Sequence, residues 1–261
     1  MFSHFRCKGV PSLVFINKDG NEIDRIVGFK NPDDYLNIIK NIRSNNETFY
    51  SLRNQFFSGD NSSKLLSILA KKYDQQSKLD SAFLLYDMLS NYNLSDSMKY
   101  EVGYFKAKYA LLKKDDLATI SNYIKNYPNS PFIKQAFLRK ISFFKSQNNK
   151  VFEIKTYIEA INSFPDDHSL LNQYAWRMTE LETNLLDALE KSIHAINLVK
   201  DDSKRSMIID TKAEILWKLR RFNEAVNEID KALEIDPENV YYINQKTKFL
   251  ESINNKIINS I

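Results

Sequence analysis

The chain has one cysteine, Cys7, in 261 residues. That excludes an internal disulfide and a thiolate zinc site. Glycine and proline are scarce, with 5 and 6 copies. So few turn formers argue against an all-β fold and favour helices. No apolar run approaches the ~20 residues of a membrane span. No basic-plus-apolar signal segment opens the chain. No glycine-rich phosphate loop exists. His4, His168 and His194 lie far apart, with no acidic or cysteine neighbours at ligand spacing, so no metal site is expected. No cofactor and no small-molecule substrate are implied. The compartment stays open, because cytoplasm and periplasm both suit a chain with one thiol.

Charge is plentiful and unevenly spread. The net charge is +4, too modest to imply a nucleic-acid partner. Residues 98–156 carry 12 basic and 4 acidic side chains, whereas residues 157–261 carry 13 and 18. A basic middle before an acidic end is a field that could steer a partner. A solvated, lysine-rich helical surface is the simpler account. Tyrosine and phenylalanine are abundant, 14 and 17. They recur at helical spacing, which assigns them to a core rather than to a base-stacking platform.

Two periodicities divide the chain. "CKGVPSLVFINKDGNEIDRIVGF" (7–29) reads as a strand, a tight turn and a second strand. Asp19-Gly20 is the turn signal, since Gly accepts positive φ and Asp tolerates it. Leu13, Val14, Phe15 and Ile16 are apolar on both faces, the pattern of a strand flanked on both edges. From Asn31 the period becomes helical. Asn31 is placed to cap, Pro32 takes the first helical position, and Tyr35, Leu36, Ile38, Ile39 and Ile42 form an apolar face. Residues 44–61 read as a connector, with a short helix around Tyr50–Phe57. From about Ser62 onward, helix follows helix. Asp166-Asp167 and Asp201-Asp202 each precede a helix and read as caps.

The helical part repeats. In "AEILWKLRRFNEAVNEIDKALEIDPENV" (213–240), small residues fall at Ala213, Ala225 and Ala232. Bulky ones fall at Leu216, Phe222 and Ile229, and Pro237 follows. Small residues let two antiparallel helices approach, and bulky ones fill the gaps. Weaker copies carry Ala175, Ala188 and Ala195, and Ala70, Ala82 and Tyr86. Residues 98–165 also read as paired helices, and 238–256 suits a polar-faced capping helix. This pattern resembles the tetratricopeptide repeat, with Ile229 replacing the usual aromatic and Arg221 standing at the turn glycine. The resemblance implies a groove lined by the first helix of each pair. Its candidate binding residues are Asn172, Trp176 and Thr179, with Asp210, Glu214, Trp217 and Lys218 from the next repeat. Trp217 suits packing equally well. Asp210 and Glu214 occupy positions where a two-carboxylate clamp has Lys and Asn, so an acidic peptide tail is not the expected ligand.

The first 43 residues resemble the C-terminal half of a thioredoxin fold. The likeness rests on Gly9-Val10-Pro11-Ser12, the strand Leu13–Ile16, the Asp19-Gly20 turn, the strand Glu22–Val27 and the helix after Pro32. It implies that Val10 and Pro11 form a cis-proline loop and that Leu13–Ile16 was made for a parallel neighbour, absent from this chain. The family's Cys-x-x-Cys has no counterpart. Cys7 reads as a small apolar residue; a lone redox-sensitive thiol is its functional alternative.

The expected fold is therefore mainly α: a tetratricopeptide-like array (62–261) behind a small ββα remnant (1–43) and a connector (44–61). The remnant is expected to be the weakest part, since a bare strand pair is marginal in water. The expected function is a scaffold that holds a protein or peptide in the groove. The alternative is an N-terminally shortened thiol–disulfide oxidoreductase with a repeat-type partner-binding part.

Overall fold

The computed structural model describes Phe5, Cys7 and residues 11–258, with side chains described to residue 255. Val10 lies outside the described residues; Pro11 sits at an exposed bend. The chain folds as two compact units, Met1–Phe143 and Phe144–Ile261.

The first unit opens with β1 (Ser12–Ile16) and β2 (Glu22–Val27), paired antiparallel from Ser12↔Val27 to Phe15↔Asp24. The turn forms as its residues dictate. Asn17 Oδ1 accepts from the backbone N–H of Asp19 and Asn21, and Gly20 takes φ +81°. The sheet has two strands among the described residues. The apolar pattern of Leu13–Ile16 suits a strand flanked on both edges, yet the second neighbour is absent among the described residues, as expected. β1 is an edge strand, and Leu13 and Ile16 face solvent. One partner strand occupies one edge of β1 and leaves the other open, and pairing alone covers neither face of the pleat.

Thirteen helices follow among the described residues. α1 (Pro32–Arg43) starts at Asn31, whose side chain accepts from the Asp34 N–H. Its apolar face is only half-buried, and Leu36 lies off it in solvent. α2 (Phe49–Phe57), α3 (Ser63–Gln75) and α4 (Leu79–Leu89) build the unit's core. Phe49 and Leu52 join Leu65, Leu66, Leu69 and Ala70 of α3, and Ala82, Leu85, Tyr86 and Leu89 of α4. α5 (Asp96–Lys114) adds Phe105, stacked on Tyr86 at 4.3 Å. α6 (Leu117–Asn126) crosses α5 at Gly103, where a Cβ would meet the Tyr123 ring at 3.1 Å. Phe49, Tyr86, Phe105 and Tyr123 are buried in this core, as their spacing predicted, whereas Phe29 and Phe57 are exposed.

α7 (Ile133–Ser146), α8 (Lys150–Ser163), α9 (His168–Leu181), α10 (Leu185–Leu198), α11 (Asp202–Lys218), α12 (Phe222–Ile235) and α13 (Val240–Ile258) complete the chain. In the second unit α9 pairs with α10 and α11 with α12. Ala175, Ala188, Ala195, Ala213, Ala225 and Ala232 have no solvent exposure. The predicted small residues are therefore the seams of these hairpins. Asp167 and Asp201 cap α9 and α11, accepting from the Leu170 and Lys204 N–H groups. The turn of the last hairpin needs a correction. The left-handed residue is Arg220, φ +60°, not Arg221, which has φ −89° at the start of α12. The Arg221 N–H bonds to the Leu216 carbonyl and the Arg220 N–H to Trp217, a six-to-one closure that sets the left-handed residue one place earlier.

Candidate functional site: a cleft in the second unit

A cleft of about 580 Å³ opens in the second unit. Its walls come mainly from α9, α11 and α13, with Lys145 and Tyr157 at one side. Helices one repeat apart present the same face, because each repeat returns its first helix to the same register, here from Ala175 of α9 to Ala213 of α11. Asn172 and Asp210 are related in this way, offset like Ala175 and Ala213.

On α9, Arg177 is held rigidly. Its Nε donates to Glu153 Oε1 at 2.7 Å, Nη2 to Oε2 at 3.0 Å, and Nη1 to Glu180 Oε2 at 2.9 Å. Glu153 is fully buried, and this fork compensates its desolvation. Those bonds hold the Arg177 guanidinium above its usual range. Lys145 lies 3.8 Å from Glu180. Asn172, also on α9, lines the cleft with a buried Oδ1 that has no hydrogen-bond partner.

On α11, Asp210 is 6% exposed. Its Oδ1 accepts a long bond, 3.4 Å, from Gln245 Nε2 of α13. Gln245 gives its better bond, 3.0 Å, to Glu214 Oε2, which also pairs with Lys248. Burial pushes the Asp210 carboxyl up to about 6, the Glu214 charge adds to this, and Gln245, Lys248 and the Tyr241 hydroxyl offset part of it. Burial also lifts the Tyr241 phenol to about 12, with the charges of Asp210 and Glu214 contributing. Trp176, Tyr157, Tyr241 and Tyr242 supply the aromatic lining.

The structure brings Asn172, Trp176 and Asp210 to this cleft and takes the other candidates elsewhere. Thr179 is buried, its hydroxyl donating to the Ala175 carbonyl at 2.8 Å. Glu214 is engaged by α13. The Trp217 indole N–H donates to Ser252 at 2.8 Å, and its ring packs on Phe249, so packing is its role. Lys218 reaches Glu182 at 2.6 Å. Tyr157, Arg177, Tyr241, Tyr242 and Gln245 were not foreseen. The available signal was the polar and aromatic run Tyr241-Tyr242 with Gln245 one turn on, in the segment 238–256 read as a polar-faced capping helix. Cys7 is half-buried. Among the described residues no three His, Cys, Asp or Glu side chains converge as metal ligands, and no helix is long and apolar enough to cross a membrane.

No family model matches the chain. A STIP1 homolog from Dictyostelium discoideum is 34% identical over 108 residues, 39% of this chain and 18% of that protein. The chain thus spans under a fifth of that relative's length. Among solved structures, the C-terminal part of a tetratricopeptide-repeat protein from Cytophaga hutchinsonii superimposes with a TM-score of 0.63 at 16% identity, covering 87% of each chain. BtubC from P. vanneervenii gives 0.53 at 14% identity, covering 72% of this chain and 87% of that one. YrrB, described as a tetratricopeptide-repeat protein with an unusual peptide-binding site, gives 0.50 at 13%, covering 76% and 98%. These likenesses concern the fold, a mainly helical array of tetratricopeptide type with a small antiparallel strand pair at its start.

Proposed function

We propose that the chain is a protein-interaction scaffold that holds a segment of a partner protein in the cleft of α9, α11 and α13. The carrying observation is that cleft. It is open, aromatic and polar, and its walls are helices fixed by buried alanines and a buried Arg177–Glu153 pair. Rigid walls bind a flexible segment at lower entropic cost than walls that must order. The peptide-binding YrrB and the STIP1 homolog are consistent with this class of function. The likeness of residues 1–43 to half a thioredoxin fold stays a reading of the sequence. With one cysteine in the chain, nothing in the structure favours the oxidoreductase alternative.

The test is selection of a displayed random-peptide library on the full chain, followed by anisotropy titrations of the selected peptides. Thr211→Arg places a long charged side chain in the cleft, and Leu186→Arg does the same on an exposed turn of α10. Binding should fall about tenfold or more in the first variant and stay unchanged in the second. Selected peptides that bind both variants equally would place the binding surface elsewhere.

A further inference from the structure

The charges around the cleft do not balance. Arg177 answers Glu153 and Glu180, Lys145 leans on Glu180, and Lys248 answers Glu214. Asp210 is left. No cation lies within 4.0 Å of it among the described residues. The donors that face it, Gln245 at 3.4 Å and the Tyr241 hydroxyl, are neutral. Asn172 Oδ1, in the same cleft, is a second buried acceptor, and it has no donor. Buried acceptors of this kind are normally satisfied. Two at one opening, lined by Trp176 and Tyr241, describe a place short of N–H donors and of one positive charge. Aromatic faces add to the attraction for a cation.

We propose that this cleft seats a basic side chain, Lys or Arg, of the partner segment on the Asp210 carboxylate, with Asn172 Oδ1 accepting a further N–H of that segment. The inference rests on the groove-binding reading above and specifies its ligand. It is the reverse of an acidic-tail site. An incoming carboxylate would meet Asp210, while Arg177 is already committed to Glu153 and Glu180.

Binding should then depend on pH. Facing Asp210 are Glu214 on its own helix and Tyr241, Gln245 and Lys248 from α13. Around the same cleft stand Arg177 and Glu180 from α9 and Lys145 from α7. His168 lines a neighbouring depression that shares Asn172 and Met207. Asp210 prefers to be protonated below about 6, and a neutral carboxyl attracts no cation. Lowering the pH therefore weakens a basic ligand, and comparison with Asp210→Asn separates this effect from His168.

The experiment uses four peptide pools with a fixed central Lys, Arg, Met or Glu and randomised uncharged flanks. They are titrated against the full chain, Asp210→Asn and Thr211→Arg, with circular dichroism as the check on folding. At about pH 7.5 the Lys or Arg pool should bind about tenfold or more tighter than the Met pool, and the Glu pool weakest. In Asp210→Asn the preference should shrink to within about twofold. Near pH 5 the wild type should lose the same preference and the variant should not change. If the Met pool binds as tightly as the basic pools and Thr211→Arg abolishes both, the groove reading stands and the cation site is overturned. If no pool binds, or Thr211→Arg leaves binding unchanged, the groove reading falls and this inference with it.

Discussion

The strand pair β1–β2 is fastened to α3 by charges, while α11 is fastened to α12 by alanines. Asp24 accepts from Lys72 Nζ at 2.6 and 2.8 Å, and Glu22 accepts from Arg25 and from Gln76 Nε2 at 3.0 Å. Arg25 also donates to the carbonyls of Phe5 and Gln75. Asp24 and Arg25 are both buried. In the second unit, Ala213, Ala225 and Ala232 are fully buried and Ile229 fills the space between them. A seam of small residues tolerates little change in volume, because it works by close approach. A buried ionic contact tolerates little change in charge, because each partner is desolvated for the other.

The sharpest way to break the contrast is Lys72→Ala. It leaves Asp24 buried without its cation, a loss on the order of 3 kcal/mol. Hydrogen exchange should show the amides of Glu22–Val27 losing protection, while those of Asp202–Ile235 do not change. Unaltered exchange in β2 would mean that the strand pair is held by Ile26 against α2 rather than by charge.

Asp210→Asn tests a buried charge that lacks a partner. The folded-state carboxyl is raised to about 6, above the ~3.9 of an unfolded chain. Folding is thus favoured while Asp210 is protonated, and that stability is lost as pH rises through about 6. The variant should melt higher than wild type at pH 7–8, by on the order of 2 kcal/mol, and equally at about pH 4. Equal melting curves at both would show that water or a counter-ion reaches the carboxylate.

Ala225→Leu forces extra volume into the α11–α12 seam and should cost about 1–3 kcal/mol. Denaturant titration measures it, and a midpoint equal to wild type would put Ala225 outside the seam. The smallest effect is a gain. Arg220→Gly relieves a left-handed backbone at the end of α11 and should stabilise by about 0.5–1 kcal/mol, less what the unfolded chain gains in freedom. A loss of stability would mean that the arginine side chain contributes more than its backbone strain costs.

The sequence by itself determined the repeats. Ala175, Ala188, Ala213, Ala225 and Pro237 could be read because a helical hairpin packs residues close in the chain, so spacing alone carries the contact. It also determined the β turn at Asn17–Gly20 and the Asn31 cap, both set within a few residues. Tertiary structure decided the rest. Lys72 meets Asp24 across 48 positions and Gln245 meets Glu214 across 31, separations that no local period encodes. Nor could spacing tell that Arg220 rather than Arg221 takes the left-handed turn, a matter of where the last helical hydrogen bonds close. Of the groove candidates, Asn172, Trp176 and Asp210 reached the cleft while Thr179, Glu214, Trp217 and Lys218 were absorbed by neighbours. A first helix presents a whole face to the groove, and its packing decides which side chains remain open to a partner: α13 engages Glu214 and Trp217, Glu182 takes Lys218, and Thr179 turns to its own helix.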